Sequence, residues 1–381
     1  VVALAWWFKD PALAFPTTLA VLVVTCPCAL SLATPTALTA ATSRLAALGL
    51  LVTRGDALEK LARADRLVLD KTGTLTEGRV RIVDVLPLRD LAPDRCRAIA
   101  AALEVGSEHP LARAFDDPAG MVAQALRVLP GRGLEGTIDG RHYRLGSPSF
   151  AGGAHRDRLP AAASVVLADD EGPLAGFVLT DPLRADAPAT MAGLVRRGLA
   201  VEIASGDVAP IVESVAREAG IESWRAALSP EDKLEHIRDL QADGAVVAMV
   251  GDGINDAPVL AGADVSIAMG EGAPLAQSSA DMILLGRTLA PLSLGVDVAH
   301  RTLGTIRQNL AWALSYNLIA LPLAAAGWVA PWMAAIGMSV SSLIVVLNST
   351  RLGRTVGHRP VRPAARKGKP AEAVSVAGPR T

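Results

Sequence analysis

Charged residues are missing altogether from two long stretches, 11–43 and 308–350. Each is longer than the ~20 apolar residues that a bilayer span takes, so a wholly soluble chain is excluded. An excess of either charge is missing as well. With 37 Lys+Arg against 38 Asp+Glu the net charge is −1, and no surface for nucleic acid is expected. Cysteine is scarce: Cys26, Cys28 and Cys96 are too few for a disulfide framework, and two of the three lie inside the first uncharged stretch. No basic leader precedes Val1–Phe8, which excludes a secretory signal at that point; the segment reads as the end of a span that begins upstream. No G-x-x-x-x-G-K-S/T occurs, which excludes a P-loop engine, and there is no internal repeat.

What is present divides along the chain. After a turn at Lys9-Asp10-Pro11, a span is expected from about Thr17 to Leu38, within a membrane region 1–52. The stretch 308–350 is too long for one helix, and Pro322, Gly327 and Pro331 are expected to break it into a hairpin, Asn309–Leu321 onward and Trp332–Asn348. Arg44, Arg54, Arg301 and Arg307 flank the intervening polar region, and a basic, disordered tail is expected over 351–381. The positive-inside rule puts these on the cytoplasmic side of a multi-pass protein of a bacterial inner or plasma membrane, in contact with lipid. The ~260 residues between the membrane stretches suffice for two domains.

Within that region short apolar runs stop at polar residues. Arg66-Leu67-Val68-Leu69 stops at Asp70, Leu199–Ala204 at Ser205-Gly206-Asp207, and Ala245–Val250 at Gly251-Asp252. Helical patterns such as Glu231–Ala242 separate them, which argues a parallel, doubly wound sheet with its chemistry at the carboxyl ends of the strands. A carboxylate at such an edge suits phosphoryl transfer through an acyl phosphate, with Asp70 and Asp252 holding Mg²⁺ and Lys233 adding a positive charge. The sheet resembles that of haloacid dehalogenase-type phosphatases, which carry a second Asp two residues after the nucleophile. Here that position is Thr72, so a phosphoenzyme would persist rather than hydrolyse quickly.

Asp70–Thr76, read as DKTGTLT, resembles the signature of P-type ATPases; Gly251–Pro258, GDGINDAP, resembles their second signature, and Ser205-Gly206-Asp207 their TGD element with Ser for Thr. The resemblance implies that ATP phosphorylates Asp70, with Thr72, Lys233, Ser205, Asp207, Asp252, Asn255 and Asp256 around the phosphate and Mg²⁺, and Asp70, Thr72 and Asp252 as the magnesium ligands. An insertion, residues 79–178, contains Ser107-Glu108-His109-Pro110 and Gly131-Arg132-Gly133, and resembles the nucleotide-binding domain of heavy-metal P-type ATPases. That implies Glu104 and His109 on the adenine, with Gly131 and Gly133 letting the backbone approach the nucleotide. The expected fold is an α/β haloacid-dehalogenase-like parallel sheet (a phosphorylation domain, 53–78 and 179–290), an inserted α+β nucleotide-binding domain (79–178), and transmembrane α-helices (1–52 and 291–350, the latter with a linker helix).

In the membrane region Cys26-Pro27-Cys28 combines two sulfurs with a residue that frees backbone carbonyls at membrane depth. Tyr316-Asn317 and Met338-Ser339-Val340-Ser341-Ser342 lie in the hairpin, which has no charge to offer a hard divalent ion. Soft sulfur selects Cu(I). Together these elements resemble the copper and silver branch of the family and imply Cys26, Cys28, Tyr316, Asn317, Met338, Ser341 and Ser342 as Cu(I) ligands; zinc and cadmium relatives add an acid in the last span. Ala29–Leu38 and Leu51–Gly55 resemble the subgroup linked to cytochrome oxidase assembly. No Thr-Gly-Glu segment appears, so the chain reads as the C-terminal part of a pump whose actuator domain and first spans are its missing partners, with a soluble copper chaperone as a further one. A zinc or cadmium pump, a membrane-anchored phosphatase and a non-catalytic copper-binding protein remain alternatives.

Overall fold

The computed structural model describes residues 1–353 except 106, 108–109, 116–119, 130–131, 154, 156–158, 161, 253–255 and 273. Its organising element is a seven-stranded sheet in the order β1 (Leu50–Val52), β13 (Met282–Leu284), β12 (Val265–Met269), β11 (Val247–Gly251), β2 (Arg66–Leu69), β9 (Ala200–Ala204), β10 (Ser223–Arg225). All neighbours are parallel except the β1–β13 pair at one edge. The central strands are near-continuous Val, Ile, Leu, Ala and Met because both faces are covered, and successive residues serve opposite faces. Leu67 and Leu69 join a core with α4 (Ala57–Arg63), α7 (Ala187–Arg196) and α8 (Ala209–Ala219), whereas Val68 joins one with α9 (Pro230–Ala242), α10 (Ala257–Gly262) and α11 (Pro274–Ser279).

From β2 the chain builds outward through β9 and β10 in one direction. From β11 it builds through β12 and β13 in the other. The strand order therefore reverses between β2 and β11, and a crevice forms beyond their carboxyl ends, where Asp70 and Asp252 stand.

The second sheet is antiparallel throughout, in the order β3 (Arg81–Pro87), β8 (Gly172–Thr180), β7 (Val165–Asp169), β6 (Arg141–Gly146), β5 (Gly133–Ile138), β4 (Gln124–Leu129). The helix α5 (Pro93–Glu104) packs Ile99 and Leu103 on one face, beside the edge-to-face pair Phe115–Phe177, and Cys96 is buried in that core. On the other face α6 (Pro148–Ala151) brings Phe150 to Val166.

The remaining helices are α1 (Val2–Lys9), α2 (Pro11–Val24), α3 (Cys28–Ala47), α12 (Ala290–Ala325) and α13 (Pro331–Thr350). Two helical stretches, 11–47 and 331–353, are long and apolar enough to cross a bilayer. Two boundaries differ from the sequence expectation. The span expected over Thr17–Leu38 is two helices broken at Thr25–Pro27, because Pro27 cannot donate and instead caps α3, its carbonyl accepting from Ser31. Pro322 does not break the second stretch: it sits in the last turn of α12, and the chain turns at Ala326–Ala330, where Gly327 takes φ +81°. The helices meet through small residues, Ala20, Ala29, Ala33, Ala313, Ala324 and Ala334, which let backbones approach. Trp6 Nε1 donates to the Ala325 carbonyl at 2.9 Å, tying the α1 end to the hairpin turn, where Trp328 and Trp332 are exposed. Toward the soluble part, Asn309 and Thr36 both donate to Ser349 Oγ (2.9 and 3.0 Å), joining three helices through a buried hydroxyl.

Candidate active site

Asp70 ends β2, and its N–H bonds the Val250 carbonyl of β11 at 2.9 Å. The chain then turns sharply through Lys71–Leu75, with Gly73 at φ +70°. Glycine is required there twice over: the conformation is left-handed, and a Cβ would lie 1.7 Å from Asp252 Oδ2. Arg184, buried, donates from Nε to the Thr74 carbonyl (2.8 Å) and from a terminal nitrogen to the Gly73 carbonyl (2.7 Å). Thr76 Oγ1 donates to Asp181 Oδ2 at 2.5 Å. The turn is thus held by the segment that follows β8. On its other side Lys71 pairs with Asp207 at 2.8 Å, and Asp207 accepts from Ser205 Oγ at 3.1 Å.

Lys233 arrives from α9. A reciprocal cap between Ser229 and Asp232, with Pro230 at the first helical position, starts that helix and aims the next residue into the crevice. Its Nζ contacts Asp70 Oδ1 at 2.5 Å and Asp256 Oδ1 at 2.9 Å. Asp70, Asp252 and Asp256 offer carboxylate oxygens that all lie within 4.8 Å of one another. Burial, then Asp256, pushes Asp70 up to about 6 against the pull of Lys233. Burial, then Asp70 and Asp256, pushes Asp252 up to about 7. Burial alone would lower Lys233, but the two aspartates outweigh it and hold the ammonium above the ordinary lysine value.

Three carboxylates against one ammonium leave an excess negative charge in a nearly dry site, and the donors are hard oxygens. That set fits Mg²⁺. The sign of the pH dependence follows. An acid whose folded value is raised costs stability once pH passes its unfolded value near 4, and the cost is complete above the folded value. Between about pH 4 and pH 7 the ion-free site therefore becomes steadily less favourable as Asp70 and Asp252 ionise. Asp252→Asn is expected to raise the ion-free melting temperature at pH 7.5 by about 2–4 °C, what ~1 kcal/mol gives at this size, with little gain at pH 4. The same variant loses the rise that Mg²⁺ gives the parent. Thermal scans of both proteins check this, and an ion-free variant that melts below the parent at pH 7.5 refutes it.

The other expected site residues fall as follows. Thr72 is exposed beside Asp70. Asn255, His109 and Gly131 lie outside the described residues. Glu104 ends α5. Gly133 has a packing reason of its own, since a Cβ would lie 2.2 Å from the Leu145 carbonyl where β5 crosses β6. In the membrane region the structure joins Cys26 and Cys28 as a disulfide, whose reduction yields two adjacent thiolates. Cys28 Sγ lies 3.7 Å from Met338 Sδ, and Tyr316 Oη packs against Gly337. Asn317 and Ser342 are half-buried on α12 and α13, while Ser341 Oγ accepts from Trp312 Nε1 at 3.2 Å. Sequence reading missed Gly73, Asp181 and Arg184. An Asp-Pro turn and an arginine after the inserted sheet are visible in the sequence, but their reach to the Asp70 turn is not.

The haloacid dehalogenase-like hydrolase family matches residues 64–264. Nitrogen fixation protein FixI of Bradyrhizobium diazoefficiens is 41% identical over 357 residues, 92% of this chain and 48% of that protein. The probable copper-transporting ATPase SynA of Synechococcus elongatus is 45% identical over 343 residues, 85% of this chain and 43% of that protein. The chain thus spans about half the length of the curated relatives it matches. A zinc-transporting PIB-type ATPase in its E2.Pi state superposes with a TM-score of 0.75 at 33% identity, over 87% of this chain and 57% of that one. The catalytic domain of the CPx-ATPase CopB-B superposes with a TM-score of 0.58 at 28% identity, over 67% of this chain and 98% of that one. With an aspartate turn at the sheet's switch point and an antiparallel insertion beside it, the chain belongs to the haloacid dehalogenase-like hydrolases, and its relatives and structural neighbours include copper- and zinc-transporting ATPases.

Proposed function

We propose that this chain is the phosphorylation, nucleotide-binding and ion-binding part of an ATP-driven pump for Cu(I), and for Ag(I), that works through an aspartyl-phosphate at Asp70. The observation that carries the reading is Asp70 itself: at the switch point, paired with Lys233, and within one ion's reach of Asp252 and Asp256. Above about pH 6 its carboxylate is ionised. A carboxylate oxygen attacks the terminal phosphorus of ATP; the new P–O bond forms as the bond to the ADP oxygen breaks, and ADP leaves with the electron pair. Lys233 offsets charge on the acid before attack and faces the phosphoryl oxygens after it. Asp70 and Asp252, with Thr72 beside them, would hold Mg²⁺, which would supply positive charge to the phosphoryl oxygens. Thr72 supplies no acid for the leaving group or for water, so the acyl phosphate lasts long enough to be coupled to ion movement. Residues 53–78 and 179–290 form the phosphorylation domain, and 79–178 hold the nucleotide, with Glu104 at the base.

For the ion, the sulfur atoms of Cys28 and Met338 at 3.7 Å, together with the absence of Asp, Glu, Lys and Arg from 308–350, support Cu(I). A zinc cargo is the second reading, favoured by the likeness to the zinc-transporting ATPase. The membrane helices cross several times, with the sheets on the cytoplasmic side, and a soluble copper chaperone delivers the ion.

Radiolabelled ATP is expected to give an acid-stable, hydroxylamine-labile label on the parent and none on Asp70→Ala. Equal labelling of both refutes the reading. In the longer pump, labelling that responds to Cu(I) or Ag(I) and is lost in Cys28→Ser favours copper; a response to Zn²⁺ alone favours the second cargo.

A further inference from the structure

The segment after β8 touches two things at once. At one end Asp181 accepts from Thr76 Oγ1 and from the Arg79 N–H, and the Arg184 guanidinium bonds the Gly73 and Thr74 carbonyls of the Asp70 turn. The third guanidinium nitrogen donates to the Arg287 carbonyl at 2.7 Å, three residues before α12 begins. Two residues on, Asp186 Oδ2 accepts from the N–H groups of Leu289 (2.7 Å) and Ala290 (2.8 Å). Asp186 occupies the N-cap position of α7, yet its side chain makes no cap bond there. It serves the first turn of α12 instead, whose own N-cap, Leu289, has no side-chain acceptor. That helix runs 36 residues, ~54 Å at 1.5 Å per residue, to the hairpin turn.

A planar guanidinium with three bonds near 2.8 Å and a carboxylate capping a helix start are both short, stiff connections. A displacement of the Gly73–Thr74 backbone, which faces Asp252 directly, has no slack to lose before it reaches the start of α12. A cleft of about 230 Å³ beside the segment, lined by Glu77, Arg79, Arg184, Asp186, Glu271 and Arg287 among others, leaves it room to shift. Two further ties of α12, both to α7, do not touch the turn: Arg197 pairs bidentately with Asp297 (2.8 and 2.6 Å), and Ser293 donates to the Thr190 carbonyl.

We infer that residues 181–186 are the link through which the state of the Asp70 turn reaches α12, with Asp186 the positioning residue at the helix end. The inference rests on the reading of Asp70 as phosphoryl acceptor, and its test separates the two.

The full chain in lipid nanodiscs is treated with Mg²⁺ and beryllium fluoride, a mimic of the acyl phosphate, and amide hydrogen exchange is followed at 70–79 and at 287–296. The parent is expected to change protection at both. Asp186→Ala is expected to exchange the Leu289 and Ala290 amides about tenfold faster from the outset, to keep the response at 70–79 and to lose it at 287–296. Asp186→Asn, which retains an acceptor oxygen, restores the response. Arg197→Met lowers the unfolding temperature but leaves both responses in place. An undiminished α12 response in Asp186→Ala overturns the link, as does its equal loss in Arg197→Met, which would make any loosening of α12 sufficient. A parent that fails to respond even at 70–79 overturns the reading of Asp70, and the link with it.

Discussion

Lys233→Met is expected to destabilise the protein by ~3–5 kcal/mol near neutral pH, because it leaves carboxylates in a buried site without their counter-charge. The ammonium touches both Asp70 and Asp256, so its removal drives Asp70 further above about 6. The penalty must depend on pH. In the variant the raised carboxyls cost most where the unfolded chain is already ionised, and lowering the pH lets the folded site take up protons instead. The difference in unfolding free energy between parent and variant is therefore larger at pH 7.5 than at pH 5. Denaturant titrations at the two pH values measure it, and an equal deficit at both would mean that Lys233 acts by packing rather than by charge. Phosphoryl acceptance falls as well, by about 10²–10³-fold, since a protonated acid is a poor nucleophile and a charge facing the phosphoryl oxygens is gone. Lys233→Arg recovers much of the stability and little of the rate, because a planar fork cannot occupy the point between two carboxylates that an ammonium fills.

Gly73→Ala is expected to separate activity from stability. Its backbone sits at φ +70°, which costs an L-residue ~1–2 kcal/mol, and its Cβ would lie 1.7 Å from Asp252 Oδ2. The side chain that yields is Asp252. Moving it outward relieves some repulsion among the three acids, so the net loss of stability stays near ~1–2 kcal/mol. The ion site, by contrast, is dismantled. The expected result is a protein that unfolds only a few degrees lower, shows no Mg²⁺-dependent rise in melting temperature, and labels with radioactive ATP at under about a hundredth of the parent rate. Retained Mg²⁺ stabilisation in Gly73→Ala would place the ion elsewhere.

Local pattern determined a good deal here. The runs ending at Asp70, Ser205 and Asp252 announce parallel strands because a sheet covered on both faces must be apolar at every position, and the structure has them as β2, β9 and β11. The capping signals before Lys233 and the two charge-free stretches are equally local properties. Proline was less informative: Pro27 stands at a helix break, whereas Pro16, Pro35 and Pro322 ride inside helices, so a proline by itself does not fix where a helix stops. What composition and spacing could not decide is which distant side chains share a space. Asp256, at the start of α10, meets Asp70 across the Lys233 ammonium; Gly73 must be glycine because Asp252, 179 residues later in the chain, passes against it; Arg184 reaches the same turn from the far side of a whole inserted sheet. Residue types and periodicities are written along the chain, so the sequence by itself determined the strands, the acids at their ends and the charge-free stretches. Distances across the crevice arise only when the strand order reverses between β2 and β11, and that closure of long loops was decided by tertiary packing alone.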